Sequence, residues 1–109
     1  MPEMSQFRDY VLDQLSGLGE YKTKNMFGGT ALLIDNTAFA KIKHGTLWLK
    51  VDAENQKDFL EKGMRQYRYG KDNSRKLNFY ETPGEVLEDK VILKRWANSS
   101  IQAAQRTRK

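Results

Sequence analysis

Apolar residues recur at helical spacing near the amino terminus of the chain. Over residues 5–16 they lie three and four positions apart, from Phe7 to Leu15, and Ser5 is placed to cap the segment. From residue 25 onward the spacing becomes two, in three runs separated by short turn sequences. The pattern predicts a first helix followed by an antiparallel meander of three strands.

Two turn sequences, Asp35-Asn36 and His44-Gly45, predict the pairing within the meander. The expected opposing pairs are Leu33 with Ala38, Ala31 with Ala40, Ile42 with Leu47, and Ala40 with Leu49. Because alternate strand residues share a face, one face becomes a candidate core. Its predicted members are Gly29, Ala31, Leu33, Ala38, Ala40, Ile42, Leu47, Leu49 and Val51.

The opposite face of the meander predicts a contact surface. It would carry Leu32, Phe39 and Trp48 beside three lysines, Lys41, Lys43 and Lys50. Exposed apolar clusters in soluble proteins usually mark interfaces, and aromatic side chains with nearby cations also occur on nucleic-acid platforms. Three interpretations stay open: contact with a second copy or another partner, cover by another part of the same chain, and stacking of nucleic-acid bases.

The remainder of the chain predicts a helix over residues 53–62 capped by Asp52, two strands over 66–69 and 76–80, and a last helix that begins near Glu85 or Asp89. The expected fold is α+β in two layers, with a five-stranded antiparallel sheet and helices on one face, in the order α-β-β-β-α-β-β-α. We expect one domain over residues 1–105 and a basic, disordered tail over 106–109.

Composition narrows the chemistry that the chain can perform. The 109 residues include no cysteine and one histidine, His44, which falls in a predicted turn. Disulfides and cysteine-ligated zinc are therefore excluded, and a reducing cytoplasm is the expected compartment. No metal or cofactor site is expected, because the sequence offers no recognisable ligand spacing. No apolar run reaches the roughly 18 residues that a membrane helix needs.

Basic residues concentrate between positions 62 and 76, where six cations face one anion in a chain of net charge +5. The candidate contacts for nucleic acid or for an acidic protein are Arg65, Arg68, Lys71, Arg75 and Lys76. Two tyrosines, Tyr67 and Tyr69, interleave with them. The segment is interpreted either as a solvated strand face with the tyrosines in the core, or as a binding surface.

Two adjacent glycines, Gly28 and Gly29, open the first strand of the meander. Glycine is unfavourable in a strand unless another backbone or element approaches closely, which favours a bulge or a packing notch. A phosphate loop is disfavoured, because no GxGxxG or GxxxxGK[ST] motif is present and no helix follows.

Catalytic constellations are not recognisable in the sequence, and the expectation is a protein that is not an enzyme. A nucleophile elbow is missing, and the acid pairs Glu81 with Glu85 and Glu88-Asp89 flank a helix start, where they stabilise the helix dipole. An enzyme that acts on a small ligand beside Gly28 and Gly29 is kept as a remote alternative.

The order of several short motifs resembles the amino-terminal domain of the TfoX/Sxy regulators of natural competence. The motifs are Met26-Phe27-Gly28-Gly29, Phe39-Ala40-Lys41-Ile42, Leu47-Trp48-Leu49-Lys50-Val51-Asp52, Tyr69-Gly70, Tyr80-Glu81-Thr82-Pro83 and Leu87-Glu88-Asp89. Together they cover nearly the whole chain. Asn25 and Thr30 depart from the residues that usually flank the first motif.

The resemblance implies a small α+β domain of a bacterial cytoplasmic protein that activates transcription of DNA-uptake genes with the cyclic-AMP receptor protein. It implies no catalytic residues, and it gives Met26, Phe27, Gly28 and Gly29 a structural role. The full regulators continue into a second, helical domain, so a stand-alone copy of the first domain is expected. We expect a regulator that acts through protein contacts, as a homodimer, with direct nucleic-acid binding as the alternative.

Overall fold

The computed structural model describes residues 2–26 and 29–107, with side chains from residue 6 onward except that of residue 26. The elements in chain order are α1 (Pro2–Gln14), β1 (Lys22–Met26), β2 (Gly29–Ile34), β3 (Thr37–Lys43), β4 (Thr46–Lys50), α2 (Gln56–Glu61), β5 (Gln66–Tyr69), β6 (Arg75–Glu81), α3 (Gly84–Leu87) and α4 (Lys90–Thr107). The expected α+β class and antiparallel pairing are confirmed.

The sheet has six strands in the order β1-β2-β3-β4-β6-β5, so the prediction of five strands was wrong. The missed strand is β1, an edge strand that pairs with β2 from Lys22 opposite Leu33 to Met26 opposite Gly29. Its residues 22–25 are all exposed and polar. An edge strand without a buried face shows no apolar alternation, and its lysines discourage pairing with other chains.

Both tight turns of the meander form as predicted. Asp35 and Asn36 have φ angles of 53° and 63°, and His44 and Gly45 have φ angles of 56° and 67°. Positive φ at both central residues is the geometry of the two-residue hairpin turns that match strand twist. The second hairpin also has the predicted register, with Ile42 opposite Leu47 and Ala40 opposite Leu49.

The first hairpin departs from its predicted register after one pair. Leu33 lies opposite Ala38, as expected, but Ala40 lies opposite Leu32 instead of Ala31. One extra residue on β3, Phe39, makes a bulge at this point. Because a shift of one residue moves every following side chain to the other face, the predicted faces of β2 are exchanged.

The main core lies between the sheet and the helices. Buried strand residues Leu32, Phe39, Ala40, Ile42, Leu47 and Leu49 pack there against helix residues Val11, Leu15, Phe59, Val86, Leu93, Ala97 and Ala104. By contrast, Ala31 faces the other side, opposite Lys41, and Ala38 packs against a separate cluster. These two residues, together with Gly29 and Leu33 on the same face of β2, were predicted for the core face, and they were assigned wrongly because the bulge was not foreseen.

The carboxy-terminal segment forms two helices instead of one. Thr82 and Pro83 follow β6, α3 occupies Gly84–Leu87, and α4 begins at Lys90 after a break. The carboxylate of Asp89 accepts hydrogen bonds from the amides of Val91 and Ile92 at 3.0 and 3.1 Å, which is the N-capping role expected of it.

Helix α4 continues through Thr107, so it includes the first two residues of the segment 106–109 that was predicted as a basic tail. The Arg106 guanidinium binds the Asp52 carboxylate through Nε and Nη2 at 2.5 and 3.0 Å. Asp52 also accepts hydrogen bonds from the backbone amides of Glu54 and Asn55. The end of α4 is thereby tied to the loop that follows β4, and residues 108–109 lie outside the described chain.

The expectation that close approach of another backbone requires a glycine is confirmed at Gly29. Gly28 lies outside the described residues. A Cβ atom on Gly29 would lie 2.8 Å from the carbonyl oxygen of Ile42 and 3.3 Å from Cβ of Lys43. The neighbouring strand β3 is therefore the element whose close approach requires a glycine.

Gly29→Ala should lower the free energy of unfolding by about 1–3 kcal/mol, because backbone must move to relieve the contact. Urea unfolding followed by circular dichroism measures the loss. Gly84→Ala is the matched control, since a Cβ there meets nothing within 4 Å, and its stability should be unchanged or higher. Equal stability of the Gly29→Ala variant and the unchanged protein would contradict the close packing of β2 on β3.

Asp52→Asn should lower the free energy of unfolding by about 1–2 kcal/mol near neutral pH. The hydrogen bond from Arg106 lowers the pKa of Asp52 from 3.8 to about 2. Stability from a carboxylate with a lowered pKa is present above its unfolded value and is lost as the pH falls through the folded value. The difference between the two proteins should therefore shrink from about pH 5 to about pH 2.

Urea unfolding at several pH values provides the measurement. Glu61→Gln, an exposed substitution with the same charge change, serves as the control and should leave stability nearly unchanged at every pH. A difference between Asp52→Asn and the unchanged protein that stays constant down to about pH 2 would contradict the assignment.

Candidate functional site

The sheet face opposite the helices, here called the outer face, is covered in part by the sheet itself. Trp48 on β4, Tyr67 on β5 and Phe79 on β6 form a second buried cluster, here called the outer cluster, with Ala38 and Leu77 beside it. The Trp48 and Tyr67 rings meet edge to face with centroids 5.0 Å apart. The Lys41 ammonium on β3 also lies over the Tyr67 ring on β5, although β4 and β6 separate these strands, so the β5–β6 hairpin curls over the outer face.

The three residues predicted for partner contact are not exposed together. Leu32 and Phe39 are fully buried in the main core under the helices, and Trp48 is 9% exposed in the outer cluster. The sequence left three interpretations open, and the one that agrees with these positions is that other parts of the same chain cover the three residues. The expectation of an exposed apolar patch was wrong, and the bulge at Phe39 is the reason for two of the three residues.

Lysine side chains lie over the outer cluster. The ammonium of Lys41 is 5.3 Å from the centroid of the Tyr67 ring and 5.4 Å from that of Phe79, and the ammonium of Lys50 is 5.3 Å from the Phe79 centroid. These are cation–π distances. Burial lowers the pKa of Lys41, and the positive charges of Lys43 and Lys50 lower it further. The outer face therefore concentrates positive charge on an apolar base.

Beside these lysines the outer face forms a pocket of about 440 Å³. Strands β2 and β3 supply Gly29, Ala31, Lys41 and Lys43, and the β5–β6 hairpin supplies Tyr67, Tyr69 and Leu77. Gly29, the last residue of the motif Met26-Phe27-Gly28-Gly29, thus lines this pocket, whereas Phe27, Gly28 and the side chain of Met26 lie outside the described structure. The sequence placed the lysines on this face, and its remote alternative of a small ligand beside Gly28 and Gly29 concerns the strand that lines this pocket, although the other lining residues were not foreseen.

The basic residues of the β5–β6 hairpin divide into two groups. Arg65 binds the Glu81 carboxylate through two guanidinium nitrogens, at 3.0 Å from Nε and 2.7 Å from Nη2. That contact lowers the pKa of Glu81. The role of Glu81 is therefore an ion pair at the end of β6, and its predicted role at a helix start was wrong.

The other four cations, Arg68, Lys71, Arg75 and Lys76, are exposed, and we call them the basic hairpin. Arg68 lies opposite Lys76 across the two strands. Among the described residues, none of the four forms an ion pair with a carboxylate, so their charge is presented to solvent. The two tyrosines on either side of Arg68 differ in exposure: Tyr67 is buried, and Tyr69 is 40% exposed.

The described part of the chain contains no recognisable metal site and no membrane-spanning helix. No group of three or more histidine, cysteine or acidic residues there could hold a metal ion. His44 lies in an exposed turn with a positive φ. No described helix combines the length and the apolar character needed to cross a bilayer.

Comparison with protein families decides the relationship. The model of the TfoX N-terminal domain matches residues 13–104, from within α1 almost to the end of α4. The chain belongs to the TfoX N-terminal domain family. A search of curated proteins found no matching sequence.

In this TfoX N-terminal domain Trp48 should be required for stability instead of association. Trp48→Ala should lower the free energy of unfolding by about 3–5 kcal/mol, because it leaves a cavity beside Tyr67. The Trp48 indole nitrogen also donates to the Lys43 carbonyl at 3.4 Å. Trp48→Phe should cost less, since it keeps a ring in the cluster.

Urea unfolding and light scattering together test this role. Leu60→Ala is the control, because Leu60 is 55% exposed and its loss should change stability by less than about 0.5 kcal/mol. A Trp48→Ala domain of unchanged stability that lost mass by light scattering would instead identify Trp48 as an interface residue.

Proposed function

We propose that this TfoX N-terminal domain is a non-enzymatic regulator of transcription of the DNA-uptake type, which acts in a bacterial cytoplasm by contacting other proteins. The family match over residues 13–104 supports the regulatory class. The observation that carries the mode of action is the basic hairpin, whose four exposed cations lack carboxylate partners among the described residues. Uncompensated surface charge of one sign favours fast and selective association with a surface of the opposite sign.

The geometry of the hairpin suits a protein contact. Arg68 and Lys76 sit side by side on adjacent strands, while Arg65 is held by Glu81 and adds little net charge. Arg68 and the paired Arg65 also line a groove of about 570 Å³, together with Trp48, Gln66 and Thr46. A groove with an aromatic base and cations at its rim matches an acidic segment that carries an apolar side chain.

The partner that we propose first is the cyclic-AMP receptor protein, which the family resemblance implies. We assign the contact with this partner to the basic hairpin. We also propose a homodimer. Its interface lies outside Leu32, Phe39 and Trp48, because these residues are buried within the chain.

Neutralising two hairpin cations should weaken the partner contact. We expect the double variant Arg68→Gln/Lys76→Gln to bind the purified, nuclease-treated cyclic-AMP receptor protein about five- to tenfold more weakly than the unchanged domain. Lys57→Gln/Lys90→Gln removes the same charge from exposed positions on α2 and α4 and is the matched control. Biolayer interferometry gives the affinities. Equal losses for the two double variants would exclude a specific contact through the hairpin.

Direct nucleic-acid binding is the second candidate, and the groove is the observation that favours it. Arg65, Arg68 and His44 line the groove beside Trp48, so basic and aromatic side chains occur together there. Fluorescence anisotropy with duplex and single-stranded DNA at several salt concentrations distinguishes direct nucleic-acid binding from a contact with protein alone. Nucleic-acid binding requires an affinity that falls steeply with salt, through counterion release, and a shallower slope for Arg68→Gln/Lys76→Gln. No binding at high micromolar protein in low salt would remove this candidate.

A further inference from the structure

The outer pocket has the size and the lining of a small-molecule site. Its volume of about 440 Å³ falls within the usual range of ligand pockets, about 300–1,000 Å³. Strands β2 and β3 line it with Ala31, Lys41 and Lys43, and strands β5 and β6 line it with Tyr67, Tyr69 and Leu77. The lining is thus largely apolar and aromatic, and Lys41 and Lys43 are its charged residues.

Those two ammonium groups have no anionic partner in the described structure. Neither Lys41 nor Lys43 forms an ion pair there, and no carboxylate lines the pocket. The contacts of the Lys41 ammonium are the faces of Tyr67 and Phe79. Partial burial and the neighbouring charges of Lys43 and Lys50 both disfavour its charged form, as the lowered pKa of Lys41 reflects.

An anion placed between Lys41 and Lys43 would offset both costs, because it neutralises the repulsion and provides charge-assisted hydrogen bonds. A cationic ligand would add to the repulsion, and a fully apolar one would leave the ammonium groups without partners. The aromatic wall adds a preference for a flat, apolar body, since rings pack well edge to face or in offset stacks.

We propose that the outer pocket binds a small aromatic carboxylate, with its carboxylate between Lys41 and Lys43 and its ring against Tyr67, Tyr69 and Leu77. None of the four cations of the basic hairpin lines the site, although the same two strands supply one wall, and the proposal does not depend on the proposed contact with other proteins. Its walls come from β2 and β3 on one side and from β5 and β6 on the other. A bound ligand therefore joins the middle of the sheet to the hairpin that curls over it.

Titration with naphthoate and with its neutral counterpart, naphthylmethanol, tests the chemistry. Two-dimensional amide spectra of the nitrogen-labelled domain report the position of binding. Naphthoate should bind saturably and shift the amides of Ala31, Lys41 and Tyr67, and naphthylmethanol should bind at least about tenfold more weakly, because it lacks the charge. Equal affinities for the two compounds, or shifts centred on another surface, would overturn the proposal.

Substitution of the central lysine tests the residue assignment. Lys41→Met keeps most of the apolar stem and removes the charge, and it should weaken naphthoate binding about tenfold while leaving naphthylmethanol binding nearly unchanged. Lys57→Met, at an exposed position on α2, removes the same net charge and should change neither affinity by more than about twofold. A similar loss in both variants would show a general charge effect and overturn the assignment.

A second variant keeps the test decisive if Lys41→Met fails to fold. Leu77 is half-buried at the pocket wall, so Leu77→Trp adds volume there without changing charge. It should abolish naphthoate binding while the amide spectrum stays dispersed. Unchanged naphthoate binding by a folded Leu77→Trp domain would show that the ligand does not occupy the pocket.

Discussion

The bulge between β2 and β3 is the constraint on which the arrangement of both sheet faces depends. It places Phe39 and Ala40 consecutively on the helix side and brings Leu32 into the same core. Burial of large apolar side chains such as these contributes about 1.5–3 kcal/mol each, which makes the alternative register unfavourable. The same shift turns Ala31 to the outer face, opposite Lys41.

Because Leu32 and Phe39 lie on the helix side, the outer face of β2 and β3 carries small residues and lysines instead. Small residues of β2 leave space there, and the β5–β6 hairpin brings its aromatic residues over β4. The ammonium groups of Lys41 and Lys50 lie over the Phe79 ring of this cluster, so two positive charges are positioned next to an apolar surface. One hairpin thus contributes both to the outer pocket, through Tyr67 and Leu77, and to the charged surface, through its exposed cations.

Much of the local structure follows from the sequence because it depends on neighbouring residues. The two hairpin turns, the register of β3 with β4 and the hairpin of β5 with β6 agree with the predictions, since turn residues and alternation specify them. Strand β1 was missed because it lies at an edge and has no buried face to produce a pattern. The fates of Leu32 and Phe39 were missed because a bulge of one residue leaves no signature in a run of apolar residues.

The sequence by itself determined the α+β class, the family resemblance and the basic segment around residues 62–76, because these rest on composition, periodicity and the order of short motifs. Only the tertiary structure decided which face each strand residue occupies, that Arg65 is paired with Glu81, and that Lys41 lies over Tyr67 and beside a pocket. The reason is physical: these outcomes depend on the bulge, on the curl of the sheet and on contacts between residues distant in sequence, which no local pattern specifies.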